Sequence, residues 1–195
     1  MDSVLVAFGV VFVAELGDKS QLLALTLATR FRPLQVLLAL TVSMAVLQLL
    51  AVTVGAAVAR VVPDRTIGLV SGTLFVVFGL VEVVGIVRHR VGGEPDDDIA
   101  DRVAGRSGAG TLMAMTLLFA ASELGDKTQI AAAGLAASNG ALPTWIGAVV
   151  GMIAADGLAV LLGSRLRSWV SGGTLRWIAA AGFLLTGVII LIDSW

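Results

Sequence analysis

Glu15-Leu16-Gly17-Asp18-Lys19-Ser20-Gln21 stands inside an apolar run from Val4 to Ala28. Its near-copy, Glu123-Leu124-Gly125-Asp126-Lys127-Thr128-Gln129, stands inside a second apolar run 108 residues later. Two acids, a base, a hydroxyl and an amide are costly in hydrocarbon, where one charged side chain at the bilayer centre costs roughly 3 kcal/mol or more. A chain that carries this cluster twice must fold so that both copies are sheltered from lipid. The surroundings leave little doubt about the solvent. Of 195 residues, 57% are hydrophobic and 14% charged, against roughly 25% charged in soluble domains.

Apolar runs of bilayer-spanning length, about 20 residues, fall near 4–29, 34–59, 66–87, 110–137, 143–166 and 174–192. Their length excludes the short alternating strands of a barrel. The expected fold is all-α and integral to the membrane, with six transmembrane helices. Pro33, Pro63 and Pro143 fall at or beside span ends, where a missing amide donor does least harm. The Met1-Asp2-Ser3 start lacks a basic region, so the first run reads as a retained span rather than a signal peptide.

The repeat reaches beyond the motif. At the same offset Met44 matches Met152, Ala51 Ala159, Gly55 Gly163, Thr66 Thr174, Phe75 Phe183 and Gly79 Gly187. This divides the chain into a three-helix repeat at 1–87, a linker at 88–109 and a second three-helix repeat at 110–195. Three is odd, so the second half enters from the opposite face and the repeat is inverted, with its two-fold axis in the membrane plane. Arginines segregate accordingly. Arg30, Arg32, Arg88, Arg90, Arg102, Arg106, Arg165, Arg167 and Arg176 share one face, and Arg60 and Arg65 the other. The positive-inside rule makes the first face cytoplasmic, with the 88–109 loop on it and both termini outside. The loop, with Asp96-Asp97-Asp98 and His89, reads as a solvated linker of mixed charge.

On a continuous helix, Glu15, Asp18, Lys19 and Leu22 would share an arc of about 100°. Gly17 would permit close approach or local unwinding. If the first and fourth spans pack together, inversion brings the two clusters face to face. Glu15, Asp18, Glu123 and Asp126 then offer four carboxylates beside the ammonium groups of Lys19 and Lys127, for a formal charge of −2. Ser20 and Thr128 add hydroxyls, and Gln21 and Gln129 amide oxygens. That set matches one divalent cation. With no cysteine in the chain, its oxygen ligands suit magnesium, calcium or manganese. Like charges about 4 Å apart repel by roughly 4 kcal/mol at an effective dielectric of 20. An empty cluster therefore takes up protons that an arriving cation expels, which is the physical basis of cation/proton exchange. The bland counterpart is a pair of structural i,i+4 salt bridges, Glu15–Lys19 and Glu123–Lys127, which would leave Asp18 and Asp126 without a partner.

Few other polar residues lie within the spans. Asp156 is near the middle of the fifth, and its repeat mate is Gln48. Both are candidates for an ion or proton pathway. Glu82 reads as an interfacial acid. Trp145, Trp169, Trp177 and Trp195 sit near span ends as interfacial anchors do, and nothing suggests a nucleic-acid surface. Partners are the bilayer, the divalent cation and protons. Homo-oligomerisation is left open, no resident cofactor is expected, and no residue reads as catalytic.

Glu15 to Ser20 and Glu123 to Thr128 both resemble the E-x-G-D-[KR]-[ST] signature of a transporter family. It contains the Golgi manganese/calcium transporters of eukaryotes and short bacterial manganese exporters, within the wider lysine-exporter superfamily. The resemblance spans essentially the whole chain. It implies a secondary antiporter exchanging Mn²⁺ or Ca²⁺ as substrate for protons. The cation site would be Glu15, Asp18, Glu123 and Asp126, with Lys19, Ser20, Lys127 and Thr128 as motif neighbours. By analogy it implies manganese efflux across the cell inner membrane. An exporter of small organic cations such as basic amino acids, a metal-dependent intramembrane enzyme and a structural assembly subunit are the rival classes. Paired acids favour a metal over an amine, and the duplication argues against the asymmetric centre an enzyme needs.

Overall fold

A computed structural model describes residues 2–16, 18–88, 103, 108–169 and 172–195. Among these residues the chain is entirely helical. The helices are α1 (Asp2–Glu15), α2 (Lys19–Arg30), α3 (Pro33–Val58), α4 (Asp64–Val87), α5 (Ala109–Glu123), α6 (Lys127–Asn139), α7 (Ala141–Trp169) and α8 (Gly172–Asp193). Six apolar runs thus give eight helices, because the first and fourth runs each divide at the charged motif. Among the described residues, α3, α4 and the Ala141–Leu158 part of α7 are long and apolar enough to cross a membrane unbroken. The prolines act at helix starts, where no amide donor is needed. Pro33 is the first residue of α3, Pro63 directly precedes α4, and Pro143 lies in the first turn of α7.

Helical periodicity sorts side chains by face. On α3, Val36, Leu40, Met44, Leu47 and Gln48 are buried at spacings of three, four and one, whereas Leu38, Val42, Val46, Leu49 and Val54 face outward. The outer face is as apolar as the inner one. The polar side chains Glu15, Ser20, Gln48, Glu123, Thr128 and Asp156 are all buried. That inside-out distribution suits hydrocarbon as the surrounding solvent. The larger core joins Met44, Phe119, Met115, Leu27 and Met152, and a smaller one joins Ala14, Phe75, Leu135 and Phe183.

The repeat governs the backbone. Glu15 and Glu123 end α1 and α5, and Lys19 and Lys127 begin α2 and α6. Pro33 and Ala141 begin α3 and α7, and Asp64 and Gly172 begin α4 and α8. Each pair is 108 positions apart. The packing follows the same rule. α4 and α8 run antiparallel, with Gly68 against Ser194, Gly72 against Gly187 and Gly79 against Ala180. Ala180 is the mate of Gly72 and Gly187 the mate of Gly79, so the two halves exchange the same contacts, as across an isologous interface. Phe75 and its own mate Phe183 meet with ring centroids 5.9 Å apart. The contacts of α4 and α8 are therefore reciprocal. Elsewhere α3 packs on α5, α6 and α7, and α1 on α6, α7 and α8. A Cβ on Gly55 would collide with the Ala133 carbonyl, so α3 meets α6 backbone to backbone.

Most of the expected linker, His89 included, lies outside the described residues. Of it, Val103 is described and is buried against the larger core.

Candidate functional site

The charged motifs are where two helices stop. α1 ends at Glu15, and the Asp18 amide turns back to the Glu15 carbonyl at 3.1 Å. α5 ends at Glu123, and the Asp126 amide turns back to the Glu123 carbonyl at 3.0 Å. Gly125 holds φ +77°, a left-handed conformation that costs other L-residues roughly 1–2 kcal/mol. Asp126 then occupies the N-cap position of α6 in extended backbone. Each motif therefore sets a glutamate at a helix C-terminus and an aspartate just before a helix N-terminus. There the partial positive charge of the new helix favours an anion.

This corrects the expectation of one continuous helical face for Glu15, Asp18 and Lys19. The acids converge because helix ends converge. The sequence signal was present in the glycine between Leu and Asp.

Glu15 and Glu123 are fully buried and Asp126 is half-buried, and one carboxylate oxygen from each lies within 4.8 Å of the others. Oxygens on opposite sides of a calcium ion at 2.3–2.6 Å stand roughly 5 Å apart, and around a smaller divalent ion roughly 4 Å. The cluster has the span of a single ion's coordination shell. Both halves of the chain contribute to it.

Asp18 faces a different partner. Its carboxylate lies 2.8 Å from Nζ of Lys127, which belongs to the other half. Lys127 is thus paired across the halves, in place of the i,i+4 bridge to Glu123. The side chain of Lys19 lies outside the described residues. Lys127 and Asp18 retain 20% and 15% of their side-chain exposure, so this pair stands at the rim of the cluster.

The hydroxyl and amide neighbours divide unequally. The Ser20 hydroxyl lies 3.2 Å from a carboxylate oxygen of Glu15 and 3.3 Å from one of Asp156. Gln21 donates to the Ala155 carbonyl at 3.1 Å. The start of α2 is therefore fastened to the middle of α7, and Asp156 joins the motif acids. In the sequence Asp156 stands apart from the motif, and only the fold shows that Ser20 connects them. Gln129 turns to its own break, with Nε2 donating to the Glu123 carbonyl at 2.6 Å and Oε1 accepting from the Gly125 amide at 3.2 Å. Thr128 is buried, and so is Gln48, whose Nε2 is 3.0 Å from the Met152 sulfur.

The family model described as divalent cation/proton antiporter GDT1 matches residues 3–89 and 111–195. A Vibrio cholerae protein whose name assigns it provisionally to manganese export is 31% identical over 189 residues, covering 95% of this chain and 88% of that protein. A GDT1-like protein of Synechocystis is 30% identical over 198 residues, covering 94% and 91% of the two chains. A GDT1-like protein of Schizosaccharomyces pombe is 26% identical over 232 residues, covering 96% and 81%. No solved structure matches the chain.

Proposed function

This chain belongs to the divalent cation/proton antiporter family, and on that premise we propose that it exports Mn²⁺ in exchange for protons, with Ca²⁺ as the second candidate cargo. The observation that carries the proposal is the trio of carboxylate oxygens from Glu15, Glu123 and Asp126, gathered within 4.8 Å from two helix ends. Asp18 completes the acid set, and Lys127 holds it at the rim. Lys19, Ser20, Gln21, Thr128 and Gln129 support the set. The cation replaces its hydration shell with these oxygens. When it leaves, the repulsion among unscreened carboxylates is relieved by protons. Binding of one species therefore excludes the other, and exposure of the cluster to each face in turn exchanges them.

The membrane layout is part of the same proposal. α1 with α2 and α5 with α6 each serve as one broken span, and with α3, α4, α7 and α8 they make six spans in two inverted repeats. Discontinuous spans place helix ends at mid-membrane, where an ion can be held by them. The inverted layout is supported by the antiparallel α4–α8 contacts and by the arginine segregation. On this reading both termini lie outside and the 88–109 loop in the cytoplasm. The membrane is the cell's inner one.

The test is flux into liposomes that hold a metal-sensitive dye. Mn²⁺ should accumulate when the lumen is acidic relative to the bath and proton exit can drive entry. The initial rate should fall at least about tenfold when an ionophore collapses the gradient. Flux that ignores the gradient would overturn antiport. Undiminished Mn²⁺ flux in excess arginine or lysine would count against the organic-cation alternative.

A further inference from the structure

The Ser20 hydroxyl carries one proton and lies between two carboxylates. It can donate to only one at a time. Asp156 is fully buried in the middle of α7, and its second oxygen, Oδ2, has no hydrogen-bond partner among the described residues. On the other side of Ser20, Oε2 of Glu15 faces the hydroxyl at 3.2 Å, while Oε1 has no hydrogen-bond partner among the described residues. The adjacent Gln21 is tied to the Ala155 carbonyl. Two successive residues of α2 are thus registered on two successive residues of α7. The half-site around Thr128 has a different residue at the key position, because the mate of Asp156 is Gln48, whose Nε2 lies 3.0 Å from the Met152 sulfur and whose Oε1 has no hydrogen-bond partner among the described residues.

We infer that Asp156 is a positioning residue of the cation site, acting through the Ser20 hydroxyl to fix the Glu15 carboxylate, and that the first half-site is held more tightly than the second. This rests on the cation reading above and adds a residue outside the motif to the machinery. Asp156 and Glu15 share the Ser20 hydroxyl, which faces Oε2 of Glu15 and leaves Oε1 to meet the ion. Gln48 makes no matching bond in this structure, since neither its Oε1 nor the Thr128 hydroxyl has a hydrogen-bond partner among the described residues.

The experiment is a double-mutant cycle read by Mn²⁺ titration of the full-length protein in detergent, with flux in liposomes alongside. Asp156→Asn and Ser20→Ala should each weaken Mn²⁺ binding about tenfold, a typical loss for a residue that orients a metal ligand. The double variant should also lose about tenfold, because both changes cut one chain of contacts. Ser20→Thr should restore near-normal binding, since threonine stands at the mate position 128. Gln48→Leu should cost less than threefold. Independent losses that multiply to about a hundredfold would overturn the inference, and so would an Asp156→Asn variant that binds normally. Unfolding temperatures of the metal-free variants separate positioning from folding, and loss of binding that merely tracks a lower unfolding temperature also overturns it. Wild-type protein that binds neither Mn²⁺ nor Ca²⁺ would sink the cation reading itself and this role with it, whereas normal wild-type binding with no coupling removes only the role.

Discussion

The two breaks match at their ends and differ in how they are tied. In both a helix stops at a glutamate, the aspartate amide turns back to that glutamate's carbonyl, and the next helix starts at a lysine. The first is fastened outward, with Ser20 and Gln21 gripping Asp156 and Ala155 on α7. The second is fastened to itself, with Gln129 bonding both sides of the turn. Leu124 in the second break is 73% exposed, whereas Leu16 is half-buried. Duplication fixes where the helices end, since that follows from residues present in both copies. The first break's polar partners come from positions outside the motif, where the copies have diverged, and the second break's from within it. Equal geometry therefore supports unequal half-sites.

Neutralising the glutamates tests the equal part. Glu15 and Glu123 each contribute one oxygen to the same cluster. Glu15→Gln and Glu123→Gln should each cut Mn²⁺ flux by more than about a hundredfold, beyond the 10–100-fold typical of residues that only support a ligand. A large loss in one and normal flux in the other would mean that the site belongs to one half.

The rim pair that joins the halves should matter less. Asp18→Asn or Lys127→Gln removes the ion pair that joins the two halves. The pair keeps some exposure, so the stability cost should be about 1–2 kcal/mol rather than the 3–5 of a fully buried pair. Flux should fall about tenfold. The exchange Asp18→Lys with Lys127→Asp should recover part of both in thermal unfolding and flux assays. No recovery would show that the two residues act separately.

The smallest effect belongs to the self-tied break. A Cβ at Gly125 meets no atom within 4 Å, and the obstacle is the positive φ alone. Gly125→Ala should therefore cost about 1–2 kcal/mol in unfolding free energy, while Gly125→Asn should cost less, because asparagine tolerates that conformation. A destabilisation well above this would mean that the break packs more tightly than its exposed position indicates.

Much of the architecture was legible because apolar run length and a 108-residue offset are one-dimensional properties. Helical class, the matching helix ends 108 positions apart and the role of the prolines as helix starts all follow from them. The helix breaks were only half legible. Gly17 and Gly125 allow unwinding, but an allowed break and an unbroken helix have the same apolar pattern. The Asp18–Lys127 pair was hidden for a different reason. Local spacing offers Lys127 a partner four residues away in Glu123, and only packing brings it a better one from the other half. Asp156 stood out as a costly residue, yet its connection to Ser20 spans 136 positions and leaves no trace in spacing.

The reciprocal seam between α4 and α8 carries a consequence for ancestry. Gly72 meets the counterpart of Gly79, and Gly79 meets the counterpart of Gly72. Two half-length chains packed with these helices antiparallel would meet through these same contacts. Covalent fusion secures that encounter at one-to-one dosage in every molecule. It also frees each copy to drift alone, which is how one half could keep an aspartate at position 156 while the other carries a glutamine at 48.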